Sequence, residues 1–187
     1  FDFRYPFPPI LSALNAPPDT PQWGAEFKRT IRRLHTHTSH CWGHTSQLPV
    51  PTNTIDLDPD VKDSWGLPAI RVTFKEHDSD MKMYKYMFDR GVELLKAAGA
   101  IRTWGGPPGD DPGQGFHMLG TCRMGKDPRS SVVDASHRAH DVPNLFIADG
   151  SSLVTPGRGQ PTLTIQALAF RAADLASRMA KRGELNG

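Results

Sequence analysis

Nowhere in its 187 residues does the chain hold an unbroken apolar run of about eighteen, the least that marks a membrane-crossing helix. Charge of one sign is missing too. Twenty-two basic against 20 acidic side chains leave a formal net charge of +2 with no block of like charge, so a nucleic-acid footprint has no support. Cysteine is scarce: Cys41 and Cys122 lie far apart and form no Cys-x-x-Cys pair. They suit two reduced thiols and leave one long-range disulfide open. A Gly-x-Gly-x-x-Gly turn is absent, because Gly157-Arg158-Gly159 has the wrong continuation. The chain therefore carries no dinucleotide cradle of its own.

What is present suits a globular domain. Hydrophobic residues make up 37% and charged residues 22%, and a chain of this length can bury a real core. Seventeen glycines and 17 prolines predict a loop-rich fold. Residues 1–20 read as an irregular, proline-rich lead whose Phe1, Phe3, Tyr5 and Phe7 need another surface to pack against. Residues 23–34 space Trp23, Phe27, Ile31 and Leu34 as an amphipathic helix. Residues 35–48 alternate small polar and aromatic side chains, as a strand does. Residues 53–57 and 69–74 predict strands, with Ile70, Val72 and Phe74 on one face, joined by a turn. A helix capped by Asp78 or Ser79 runs to about Ala98 on a stripe of Tyr84, Phe88, Val92 and Leu95, and Gly99 stops it.

The glycine- and proline-rich residues 104–115 form the clearest boundary. Beyond them, residues 144–148 predict a short apolar strand and residues 161–182 a long helix. Pro161 suits its first turn, Arg178, Lys181 and Arg182 suit its last, and Gly183 ends it.

His35, His37, His40, Cys41 and His44 form a cluster of the kind that ligates zinc or copper. On an extended strand, however, His35 and His37 share a face while His40 points away. No metal site is assigned to it, and substrate-facing histidines are an equal reading.

The residues richest in chemical signal are FHMLGTCRMG at 116–125, then DPRSSVVD, NLFIADGS and GRGQPTLTIQALAFRAADL, in that order. This series resembles the carboxy-terminal signature of the glucose–methanol–choline (GMC) oxidoreductases, especially the branch with bacterial sugar and gluconate dehydrogenase flavoprotein subunits. The resemblance is dense over residues 116–178 and looser over 45–75.

It implies an FAD-dependent enzyme that oxidises an alcohol group, of a sugar or polyol, by hydride transfer to flavin N5. His117 is the implied base. Removing hydride from a carbinol carbon yields a carbonyl only if the hydroxyl proton also departs, and histidine is the side chain that titrates nearest neutral pH. A core histidine bonded to a carbonyl is the alternative. Gln160 stands where the family commonly has Asn or His. Its carboxamide can orient a substrate oxygen but cannot act as a base; simple capping of the helix is the alternative. Pro161 and Thr162 match the helix start that faces the flavin pyrimidine ring, where N–H groups stabilise developing negative charge. Asp149 and Gly150 match the turn that approaches the FAD ribityl and pyrophosphate.

The fold implied is α+β. Residues 1–115 supply part of an antiparallel substrate-domain sheet with helices behind it. Residues 116–187 add a strand and a long helix that complete an FAD-binding α/β domain supplied from elsewhere. The implied partners are that amino-terminal FAD-binding half (on the same polypeptide or a separate chain), a small alcohol or sugar, and an electron-acceptor protein. Two other classes stay open: a redox-silent relative like the family's hydroxynitrile lyases, and a metal- or carbohydrate-binding module without a flavin half.

Overall fold

The computed structural model describes residues 1–5, 8–106, 117–157 and 159–185. Among these residues the chain is α+β, with four short strands, four α-helices and one 3-10 turn. It divides into two compact units. One comprises Phe1–Thr45 and Met81–Gly109, the other Ser46–Asp80 and Asp110–Gly187.

In the first unit, β1 (Asp2–Arg4) pairs antiparallel with β2 (His40–Trp42). Between them lie α1 (Pro9–Leu14) and α2 (Gly24–His37), which pack on each other. The proline-rich lead is thus more ordered than its composition predicts. Pro9 takes the first helical position, where a missing N–H costs nothing, and so starts α1 rather than preventing it. Phe7 lies outside the described residues. The strand expected over residues 35–48 shrinks to β2, because α2 continues through His35 and His37. The hydroxyl of Tyr5 donates to Thr36 O at 2.7 Å, and Arg4 stacks 4.5 Å from the Trp42 ring centre. The Phe1 ring lies against Gly91, where a Cβ would come within 3.4 Å of it.

Helix α3 (Asp78–Ala97) matches the expected residues, and Tyr84 on its apolar stripe is buried. It closes as expected, with Gly99 N donating to Lys96 O and Ala100 N to Leu95 O, both at 3.0 Å. Of the boundary at 104–115, residues 107–115 lie outside the described residues.

In the second unit, β3 (Thr54–Lys62) and β4 (Pro68–Thr73) form an antiparallel hairpin. Ile55 opposes Val72 and Leu57 opposes Ile70 on one face; Asp56 opposes Arg71 on the other, with two hydrogen bonds at 2.7 and 2.9 Å. The expected alternation holds, yet those four apolar residues are 57–73% exposed. Pro59 falls within an irregular stretch of β3, the place a ladder tolerates a missing donor. The Asp63 carboxylate accepts from Trp65 N and Leu67 N and fixes the hairpin turn.

Helix α4 (Thr162–Lys181) matches the long carboxy-terminal helix, with Pro161 one residue earlier as its N-cap. Gly183, at φ +72°, ends it with Glu184 N bonded back to Met179 O at 3.0 Å. The strand expected at 144–148 survives only as one bridge, Phe146 to Arg138. An apolar run becomes a strand only where a neighbour supplies a continuous ladder, and no such neighbour stands among the described residues. No described helix is long and apolar enough to cross a membrane.

Candidate active site

The residues that follow His117 are held by backbone bonds to the 3-10 turn Gly150–Ser152. Cys122 N donates to Ser151 O at 3.0 Å and Met124 N to Ser152 O at 2.8 Å. Gly120 has φ +89°, a left-handed conformation that glycine adopts without strain. A Cβ there would also come within 3.5 Å of Leu153 O and Val154 O. The run then continues into a small irregular β cluster. Gly125 N donates to Val133 O, Val132 N to Arg123 O, Ala139 N to Leu145 O and Ile147 N to His137 O, each at 2.9 Å. Its centre holds the most buried side chains among the described residues, His137, Val133 and Ser152.

Asp149 caps the 3-10 turn. Its Oδ1 accepts from Ser151 N at 2.8 Å and from the Ser151 hydroxyl, while Oδ2 has no partner among the described residues. The Ser151 hydroxyl, then the Ser151 N–H, hold its carboxyl below the usual carboxylate range, with nearby His137 adding a smaller contribution. Ser152, fully buried, donates from its hydroxyl to Asp149 O at 2.9 Å.

Gly150 explains how three motifs separated in sequence come together. A Cβ at this position would lie 2.7 Å from Leu119 Cδ2 and 3.0 Å from Ile165 Cδ1. Leu119 belongs to the run after His117, and Ile165 to the first turn of α4. The missing side chain lets both reach the turn that follows Asp149 in their present positions.

Helix α4 begins without a cap of its own. Pro161 is buried at φ −81°, contributes no N–H, and its carbonyl accepts from Ile165 N at 2.9 Å. The first turn contains no acidic residue and no side-chain cap. The N–H groups of Thr162, Leu163 and Thr164 therefore have no acceptor among the described residues, at the end of the helix where the dipole is positive. Gln160, just before this end, is exposed, and its carboxamide makes no hydrogen bond among the described residues. His117 is half-buried, and its ring likewise has no hydrogen-bond partner among them.

Of the six residues picked out in the sequence, Asp149 and Gly150 share one turn and Gln160, Pro161 and Thr162 share one helix end. Gly150 is in contact with both the His117 run and α4. His117 and Gln160 make no hydrogen bond to each other. Three supporting residues had no sequence signal: His137, Ser152, and Arg171, which donates from α4 to Ala135 O at 2.5 Å. A buried histidine in Ser136-His137-Arg138 reads like any surface triplet.

The histidine cluster at 35–44 does not converge. His35 and His37 sit two apart on α2, so they diverge as helical neighbours rather than sharing a strand face, and His40 lies on β2. Burial pushes the His40 imidazole below its usual range and the Cys41 thiol above its own. Among the described residues no three His, Cys, Asp or Glu side chains could hold a metal ion, and both cysteines are free thiols.

Residues 49–169 match the family model described as GMC oxidoreductase. The 2-methyl-1,2-propanediol dehydrogenase of Mycolicibacterium austroafricanum is 50% identical over 157 residues, 83% of this chain and 28% of that one. The gluconate 2-dehydrogenase flavoprotein of Pantoea cypripedii is 32% identical over 87% of this chain and 28% of its own. The fructose dehydrogenase large subunit of Gluconobacter japonicus is 34% identical over 86% of this chain and 29% of its own. The chain thus spans under a third of the length of these relatives.

Proposed function

The chain belongs to the GMC oxidoreductase family, and from that premise we propose that it is the base-bearing part of a flavin-dependent enzyme oxidising an alcohol group of a sugar or polyol. The observation that carries this reading is the junction at Gly150, which gathers the His117 run, the Asp149 turn and the start of α4. The three relatives are named dehydrogenases, which favours redox chemistry over a lyase-like or simple binding role.

The residues present fit a flavin. The N–H groups of Thr162, Leu163 and Thr164, without acceptors among the described residues and next to buried Pro161, are donors suited to a group that gains negative charge. Asp149 Oδ2 would accept from a ribityl hydroxyl of FAD, and the backbone of Gly150 would face its pyrophosphate end. When bound, the flavin supplies the acceptor for the hydride leaving the carbinol carbon. His117 takes the hydroxyl proton, its ring nitrogens having no partner among the described residues. Gln160 presents an unengaged carboxamide that orients the hydroxyl toward His117.

Residues 1–115 are assigned to the substrate domain and residues 116–187 to the completion of the FAD-binding domain. The amino-terminal half of that domain, on the same or another polypeptide, and an electron-acceptor protein are the remaining partners. The words "flavoprotein" and "large subunit" in two relatives' names support such an assembly.

The test is the visible spectrum of the full-length protein, recorded anaerobically before and after adding aldoses, ketoses, aldonates and short vicinal diols. A bound flavin that bleaches with one of these classes is expected. A protein without flavin, or a flavin bleached by no alcohol, would overturn the reading. Within the same assay Gln160→Ala lowers kcat/KM for the alcohol about tenfold, the worth of one substrate hydrogen bond, without loss of flavin. Unchanged kcat/KM would remove Gln160 from the substrate.

A further inference from the structure

His137 is the largest fully buried side chain among the described residues, 1% exposed, and the single described non-glycine residue at positive φ (+65°). A histidine adopts this conformation only where the surroundings dictate it. Here they do so from both sides. Asp134 O accepts from His137 N at 3.0 Å, and the Asp134 carboxylate accepts from Ser136 N at 2.7 Å and Arg138 N at 3.1 Å, closing the turn. Arg171 of α4 holds the same turn through Ala135 O.

The outcome is a two-way link between His137 and Ile147. Ile147 N donates to His137 O at 2.9 Å, and the ring Nδ1 lies 2.9 Å from Ile147 O. A carbonyl oxygen only accepts, so Nδ1 carries the proton and donates it. Nε2 is buried with no partner among the described residues. Burying an imidazole with one nitrogen unpaired is costly, as is the left-handed backbone. Those costs are offset in part by the two bonds that fix Ile147.

Ile147 stands two residues before Asp149. Its amide and carbonyl are both occupied by His137, so the segment enters the Asp149 turn from a fixed direction. Beyond that turn, Ser151 and Ser152 continue the restraint. We infer that His137 is a positioning residue: through its Nδ1–H it fixes Ile147 and thereby aims the Asp149 carboxylate at the cofactor. This rests on the proposed role of Asp149 at the flavin. It is the imidazole of His137, rather than the glycine-like backbone alone, that does the aiming.

Two substitutions separate side chain from backbone. His137→Gly fits the positive φ but deletes the Nδ1–H donor. His137→Asn also tolerates positive φ, and its side-chain N–H can take the place of the lost donor. In the full-length protein, flavin dissociation constants are measured by fluorescence, with the unfolding midpoint of each flavin-free variant recorded alongside. His137→Gly is expected to weaken flavin binding about tenfold, in line with one lost hydrogen bond, and His137→Asn to stay within about twofold of the parent. In an Asp149→Ala background, His137→Gly is expected to weaken binding no further, because the two act in series.

Equal losses in the Gly and Asn variants, or losses that add to that of Asp149→Ala, would overturn the inference while leaving the flavin reading intact. So would unchanged affinity in His137→Gly. Should the Gly variant not fold, His137→Asn decides: near-parental affinity upholds the inference and a tenfold loss overturns it. A parent protein that binds no flavin overturns both the inference and the reading it rests on.

Discussion

Replacing His117 by alanine in the full-length protein is expected to leave flavin bound and to slow its reduction by substrate at least about a hundredfold, the lower range for loss of a general base. Flavin retention follows from the architecture. The bonds from Cys122 and Met124 to the 3-10 turn, and the contacts of Leu119 and Ile165 around Gly150, involve no atom of His117. Removing a half-buried ring without a partner among the described residues therefore leaves the scaffold in place. The proton must then leave the hydroxyl without a positioned acceptor, since the carboxamide of Gln160 cannot take it. Stopped-flow reduction under anaerobic conditions measures the step directly. Reduction within a few-fold of the parent would take the base role from His117.

Gly150→Val is expected to destabilise the full-length protein by about 1–3 kcal/mol, the usual cost of overpacking. The first added carbon already falls 2.7 Å from Leu119 Cδ2 and 3.0 Å from Ile165 Cδ1, inside contact distance on two sides. Valine adds two further methyl groups where neither neighbour has room. Gly150→Ala is milder, because the atoms it meets are the ends of side chains that can rotate aside. The valine variant also separates the His117 run from α4, so flavin reduction slows along with the loss of stability. Denaturant unfolding followed by flavin fluorescence measures the first effect. An unfolding midpoint equal to that of the parent would show that the turn accommodates a side chain and that Gly150 does not join the three motifs.

What was legible in the sequence was whatever repeats with a period. The stripes at Trp23–Phe27–Ile31 and Tyr84–Phe88–Val92, and the alternation through Ile70 and Val72, gave α2, α3 and β4 to within a few residues. Gly99 and Gly183 marked two helix ends correctly. Where a residue type has two structural uses, composition misled. Pro8 and Pro9 suggested irregular chain but introduce α1, and His35 and His37 alternate like a strand while lying on a helix. The apolar residues 144–148 look like a strand, but a strand is a property of a pair, and sequence does not name the partner.

The candidate site divides the same way. Asp149, Gly150, Gln160 and Thr162 stood out through the ordered motif series shared with the GMC signature, and Pro161 also through its fit to a first helical turn. His137 did not, because its positive φ and its bond to Ile147 arise from contacts with Asp134 and residues 145–147 that form only on folding.

The hairpin of β3 and β4 has a consequence for how these residues behave in a cell. Ile55, Leu57, Ile70 and Val72 face outward together, and a two-stranded ribbon is marginal in water by itself. While this face is bare, it offers nascent molecules a template for stacking on one another. The irregular stretch around Pro59 and the carboxylates of Asp58, Asp60 and Asp63 interrupt that template at one end and act as gatekeepers. At the other end the bond pair between Asn53 and Lys75 closes it. Recovery of folded protein is thus a race between covering the ribbon and self-association. Its yield should fall with expression rate and temperature rather than follow the stability of the finished fold.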